Sequence, residues 1–138
     1  MSKTILICDD SLLIRSSLKH NLSKLAFISN FLEAKDGREG LEILKTEKPD
    51  LLCLDIEMPE VDGLEVLQEI GKMKKDGSLH KDFPVIVLSG SMYENDMNVR
   101  KAKMYGATEV LAKPEGKSKT LLANTEELEK IVTKYLQD

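Results

Sequence analysis

The chain has 138 residues, room for one domain but not for two separate cores. Its hydrophobic residues (41%) and charged residues (32%) are in globular balance, and no apolar run is long enough for a membrane span or a signal-peptide core. A net charge of −4 argues against a nucleic-acid partner, because phosphate backbones are gripped by clustered Lys and Arg; a cytoplasmic location is expected.

Short apolar runs of β type alternate with segments of helical periodicity. Thr4 to Cys8 reads as a buried strand. Ser11 can cap the helix that follows, whose apolar positions Ile14, Leu18, Leu22 and Leu25 fall on one stripe. Asn30 to Ala34 is a weaker strand, and Asp36-Gly37 signals a turn. Leu41 and Leu44 mark the inner face of a short helix that must end before Pro49. Leu51-Leu52-Cys53-Leu54 is apolar without alternation, the pattern of a parallel strand covered on both faces. Leu64, Leu67 and Ile70 form the next helical stripe, and a polar loop is expected from Lys74 to Asp82.

Pro84 to Leu88 is a fourth strand. A polar, Met-containing helix follows over roughly 94–105, and Gly106 stops it in the manner of a C-cap. Glu109 to Ala112 is a fifth strand. Asn124 and Glu127 fit a capping box for a last helix carrying Leu128, Ile131, Val132 and Tyr135. Five strands alternating with five helices predict an α/β domain: a parallel sheet with helices on both faces and right-handed crossovers. One domain is expected over residues 1–138, with no output domain in this chain.

The remaining polar features have plain readings. Lys72, Lys74 and Lys75, like Lys117 and Lys119, are taken as solvated charges in Gly- and Ser-containing loops. Cys8 and Cys53 are too few for a disulfide framework, and each lies inside an apolar strand as a small hydrophobe; a redox switch is the minor alternative. His20 and His80 have no metal-ligand spacing to the cysteines and are read as surface residues.

Ligands of open α/β sheets gather at the carboxyl ends of the strands. Here the first strand ends in Asp9-Asp10, the third in Asp55, the fourth in Ser89 and the fifth in Lys113-Pro114. Helix caps would explain Asp10 or Ser89 alone, but not three carboxylates, a hydroxyl and a lysine on one edge. Close carboxylates repel one another and call for a hard divalent cation with oxygen ligands. Mg²⁺ suits best, since it accepts one or two carboxylates, retains waters and takes oxygens from a phosphate. A phosphoryl group on one carboxylate would be neutralised by the metal, an ammonium and a hydroxyl together. The nucleophile expected is the carboxylate on the central strand, Asp55.

These residues resemble the response-regulator receiver domains of two-component signalling over essentially the whole chain. The matching stretches are Cys8-Asp9-Asp10-Ser11, Asp55-Ile56-Glu57-Met58-Pro59-Glu60-Val61-Asp62-Gly63, Leu88-Ser89-Gly90, Gly106-Ala107 and Lys113-Pro114. The resemblance implies a flavodoxin-like (βα)5 fold, doubly wound, with strand order 2-1-3-4-5. It implies that Asp55 is the phospho-acceptor and that Asp10 and Asp55 ligate Mg²⁺ directly with the backbone carbonyl of Glu57, Asp9 acting through a water. Lys113 would pair with a phosphoryl oxygen, Ser89 would be the hydroxyl switch, and Lys113-Pro114 would be a cis peptide. Pro59 and Gly63 would shape the loop after the third strand, and Glu57 and Ser91 would tune dephosphorylation. The implied partners are a histidine kinase as phosphodonor and a downstream protein at the helix 4–strand 5–helix 5 face, with the chain a monomer or weak dimer.

Three positions depart from the family pattern. Val110 stands where an aromatic partner of the hydroxyl switch is common, the Lys74–Asp82 loop looks long, and the Pro114–Asn124 connection is long and polar. Two alternatives are carried forward. The chain resembles somewhat the receivers joined to chemotaxis methylesterase domains, so it could be a portion of such a regulator rather than freestanding. A haloacid-dehalogenase-type phosphatase uses a similar set of groups but in a different element order.

Overall fold

The computed structural model describes residues 2–56, 58, 62–89, 97–112 and 125–137. Among the described residues five strands and five helices alternate: β1 (Lys3–Cys8), α1 (Leu12–Leu22), β2 (Ile28–Ala34), α2 (Gly37–Glu47), β3 (Leu51–Asp55), α3 (Gly63–Asp76), β4 (Val85–Ser89), α4 (Met97–Met104), β5 (Glu109–Ala112) and α5 (Thr125–Leu136). All neighbouring strands are parallel, in the order β2-β1-β3-β4-β5. The expected doubly wound architecture is the one observed.

The non-alternating strands explain the two layers of core. Successive side chains of a strand point to opposite faces, so a strand covered on both sides must be apolar at every position. Leu52 and Leu54 of β3 pack on one face with Leu6 of β1, Val85 and Val87 of β4, Leu44 of α2 and Leu67 of α3. Leu51 and Cys53 pack on the other with Ile5, Ile7, Ile86 and Leu88, under Leu18 of α1 and Val132 of α5. Each such fully buried aliphatic side chain contributes about 1.5–3 kcal/mol.

Helix starts are set by side-chain caps. The Ser11 hydroxyl accepts from the Ile14 N–H at 3.2 Å, as expected. Asp36 and Asp62 do the same for the N–H groups of Glu39 (2.9 Å) and Glu65 (3.0 Å), which makes Asp36 a cap as well as a turn residue. Gly106 has φ +99 just past α4, the left-handed stop expected of it.

Strand β1 begins one residue earlier and β4 lies one residue later than the sequence expectation, and larger differences occur at β2, α1 and α3. Strand β2 begins two residues earlier, at Ile28, and Leu25 lies beyond α1 yet still packs against the core. The third helix runs on to Asp76, so Lys72, Lys74 and Lys75 are helical rather than in a loop. Gly77, at φ +85, supplies the left-handed stop, and the two last-turn lysines favour the negative end of the helix dipole. The loop before β4 is correspondingly shorter. The capping box at Asn124, the start of the fourth helix, Lys117 and Lys119 lie outside the described residues.

Gly63 opens α3 directly behind β3. A Cβ there would stand 2.5 Å from both the Asp55 carbonyl oxygen and the Ile56 Cα, while the Gly63 N–H donates to the Ile56 carbonyl at 3.0 Å. Backbone cannot yield as a side-chain tip can. Gly63→Ala is expected to lower stability by roughly 1–3 kcal/mol, measurable by urea denaturation, whereas Gly71→Ala, with open space around it, is expected not to destabilise the chain.

Both thiols are buried at 1% exposure. Burial pushes Cys53 up to about 12, and burial together with the Asp9, Asp36 and Asp55 carboxylates pushes Cys8 further still. Neither forms a thiolate near neutrality, which removes the redox-switch reading. A folded-state pKa raised above the unfolded one gives stability that is complete below the unfolded thiol range. It declines from about pH 9 as only the unfolded thiols ionise. The expected result is no reaction with a thiol reagent at pH 8 until denaturant is added, and a shallower loss of stability above pH 9 in Cys53→Ala.

Candidate functional site

The parallel register brings the strand ends level. Cys8 of β1 pairs with Leu54 of β3, so the residues that follow, Asp9 and Asp55, stand side by side. Asp55 pairs in turn with Leu88, and Ser89 with Ala112. Backbone bonding continues past the strands, with Asp9 N–H donating to the Ala34 carbonyl at 3.0 Å and Ile56 N–H to that of Leu88 at 3.2 Å. The sheet's backbone bonding therefore extends to where the polar residues begin.

Asp9, Asp55 and Ser89 are almost wholly buried, at 1%, 0% and 1% exposure, while Asp10 faces solvent. One carboxylate oxygen from each of Asp9, Asp10 and Asp55 lies within 4.8 Å of the others. Two unit charges about 4 Å apart at an effective dielectric near 20 repel by roughly 4 kcal/mol. The arrangement is costly unless a cation or protons compensate. Three hard oxygen donors, two buried and one open to solvent, fit a small divalent cation that keeps part of its water shell. They offer nothing to a metal that prefers sulfur or imidazole.

Neighbouring groups hold the acids in place. Ser11 N–H donates to Asp9 Oδ1 at 2.8 Å, so the loop that caps α1 also orients the first carboxylate. Arg15 Nη1 donates to the Asp9 carbonyl at 2.6 Å, and its Nε pairs with Glu33 Oε1 of β2 at 3.2 Å. Arg15 thus clamps the β1–α1 turn against the edge strand. The sequence reading missed it, because Arg15 sits on a helix face with no motif to mark it and its partner is a backbone carbonyl. Beneath the site, Cys8 Sγ lies 3.3 Å from the Asp36 carbonyl and 3.8 Å from Met58 Sδ. A Cβ on Gly40 would come within 2.9 Å of that sulfur, so the glycine keeps α2 close under β1.

Of the site residues expected from the sequence, the structure brings together Asp9, Asp10 and Asp55, with Ser89 one strand away. Glu57, Pro59, Ser91, Lys113 and the Lys113–Pro114 bond lie outside the described residues. Val110 is half-buried and packs in the same core as Ala102 of α4 and Val87 of β4, a packing role with no aromatic ring to move.

The arrangement has counterparts. The family model for the response regulator receiver domain matches residues 5–125. A protein-glutamate methylesterase/protein-glutamine glutaminase of Desulfitobacterium hafniense is 39% identical over 113 residues, which are 82% of this chain and 27% of that protein. The alkaline phosphatase synthesis transcriptional regulatory protein PhoP of Bacillus subtilis is 33% identical over 83% of this chain and 43% of its own length. The chain thus spans well under half the length of these relatives. Among solved structures, the response regulator domain of Thermotoga maritima CheB superposes with a TM-score of 0.80 at 28% identity, covering 100% of this chain and 98% of that one. The chemotaxis protein CheY4 of Vibrio cholerae gives 0.69 at 26% identity, covering 92% and 98%. With the family match, the fold and the acidic edge in agreement, the chain belongs to the response regulator receiver domain family.

Proposed function

We propose that Asp55 is the phospho-acceptor of this receiver. The observation that supports the reading most strongly is its position: a fully buried carboxylate ending the central strand, with oxygens of Asp9 and Asp10 within 4.8 Å. An Asp55 oxygen attacks the phosphorus of a phosphohistidine or a small acyl phosphate. The bond from phosphorus to the donor breaks, the donor keeps the electron pair, and an aspartyl phosphate results. Water later attacks the same phosphorus, releasing inorganic phosphate and restoring the carboxylate.

Asp10, Asp55 and the Glu57 carbonyl are assigned as direct ligands of Mg²⁺, and Asp9 as a ligand through water. When bound, the ion supplies positive charge to the acidic edge and to the phosphoryl oxygens. Lys113 is assigned to one phosphoryl oxygen and the Ser89 hydroxyl to another. Exchanging mutual carboxylate repulsion for these contacts biases β4, α4 and β5 toward one of two arrangements, a population shift rather than a new fold. The readout is proposed to be a downstream protein at the α4–β5–α5 face, the donor a histidine kinase, and the location cytoplasmic. No helix among the described residues is long and apolar enough to cross a membrane.

On this reading the chain catalyses only its own phosphorylation and dephosphorylation. A second reading is favoured by the relatives: several are protein-glutamate methylesterases/protein-glutamine glutaminases of which this chain spans about a third or less, so it would be the regulatory part of such an enzyme. The receiver-family match gives the phosphatase alternative no support.

The test is intact-mass spectrometry after incubation with acetyl phosphate and Mg²⁺. One phosphoryl group is expected on the wild type, none on Asp55→Asn, and none when the metal is chelated. Lys113→Ala is expected to slow the gain by about 10²-fold, the usual cost of one lost transition-state donor. Equal labelling of Asp55→Asn would refute the assignment.

A further inference from the structure

We propose that Arg15 is a positioning residue for the divalent cation, and that Glu33 on the edge strand acts on the site through it; the inference rests on the metal-site reading above. The guanidinium spans two elements. Its Nη1 donates to the Asp9 carbonyl at 2.6 Å and its Nε pairs with Glu33 Oε1 of β2 at 3.2 Å, with the Arg15 side chain only 13% exposed. The carbonyl oxygen it holds belongs to the planar peptide group that joins Asp9 to Asp10. Fixing that oxygen fixes the plane, and the plane sets the position from which the Asp10 side chain leaves the backbone. Asp9 is also held at its N–H, which donates to the Ala34 carbonyl at 3.0 Å, and at Oδ1, which accepts from the Ser11 N–H at 2.8 Å. Asp10 faces solvent, so its placement depends on this backbone. Glu33 pairs with Ile7 in the sheet, so the foothold of Arg15 is set by the same β1–β2 register that leads into Asp9.

Arg15 acts on a bound cation in two ways of opposite sign. A guanidinium near the acids repels a divalent cation, so by charge alone its removal would tighten binding. Positioning works the other way, because a backbone left free must be ordered when the ion arrives. Glu33 decides the balance. Its carboxylate pairs with the guanidinium and offsets that charge, leaving the bridge from β2 to the Asp9–Asp10 peptide as the main contribution. Lysine cannot take this place, since one ammonium on a flexible stem lacks the fork that reaches carbonyl and carboxylate together. Lys19 also approaches Glu33, at 3.7 Å from Oε2, but at 51% exposure it forms a solvated surface pair and serves as the control.

Isothermal titration calorimetry with MgCl₂ reads the affinity without any phosphoryl chemistry. Arg15→Ala is expected to raise the Mg²⁺ Kd about tenfold, the usual cost of removing a group that orients a metal ligand. Arg15→Lys and Glu33→Ala are expected to weaken binding severalfold, and Lys19→Ala to leave it unchanged. Arg15→Ala/Glu33→Ala should stay within about twofold of Arg15→Ala, because Glu33 acts through Arg15. With acetyl phosphate as donor, the half-saturating Mg²⁺ for phosphoryl mass gain should rise by the same factor, and excess Mg²⁺ should recover the rate. Affinity unchanged or tighter in Arg15→Ala, or wild-type affinity in Arg15→Lys, overturns the proposal. So does a lower Tm with an unchanged Kd, which is the mark of a structural clamp alone. If circular dichroism shows Arg15→Ala unfolded, Arg15→Lys and Glu33→Ala decide by the same criteria. A wild type that binds no Mg²⁺ removes the metal-site reading and this inference together; wild-type binding that the variants share removes this inference alone.

Discussion

The close placement of the Asp9, Asp10 and Asp55 carboxylates is the constraint on which the carboxyl edge of the sheet depends. Two of these carboxylates are buried, yet the parallel register of β1 and β3 leaves them no freedom to separate. Among the described residues, several contacts near the edge hold that placement. Ser11 and Arg15 fix the turn after β1, and Gly63 lets α3 start directly behind the end of β3. A cluster of carboxylates favours whatever supplies positive charge.

The sheet carries that response sideways. Ser89 ends β4 next to Asp55, and β4 pairs with β5, so displacement at the acidic edge reaches two strands that α4 packs against. Val110 offers shape rather than a rotating ring at this junction, so the shift would travel through packing of β5 on α4. On the far side Tyr135 of α5 donates to Glu109 Oε2 of β5 at 2.7 Å, a bond to the carboxylate that raises the phenol above its ordinary range. Helix α5 is thereby tied to the same strand.

Much of this was legible in the residues themselves. Leu51 to Leu54 read as a strand covered on both faces, and Ile14, Leu18 and Leu22 as one buried stripe, whose expected fourth member Leu25 instead lies beyond the helix. Reading the residues at the strand ends placed Asp9, Asp10, Asp55 and Ser89 together because parallel strands present all their carboxyl ends at one edge of the sheet. The end of α3 was not legible in the same way. Its last turn is Lys-rich, and polarity resembles a loop when the true stop is the backbone conformation of Gly77. Asp36 and Asp62 were obscured as caps because an Asp near a glycine also signals a turn. Arg15 was invisible because its contact is with a backbone carbonyl that only the folded turn presents.

The most direct measurement of the central claim is thermal unfolding as a function of Mg²⁺ concentration, for the wild type and Asp10→Asn. If the clustered carboxylates repel and together hold a divalent cation, wild-type Tm rises and saturates with Mg²⁺, because the ion binds only the folded state. Asp10→Asn is then more stable than the wild type without metal and nearly indifferent to Mg²⁺. A wild-type Tm that ignores Mg²⁺, together with an Asp10→Asn variant no more stable in its absence, would contradict the account.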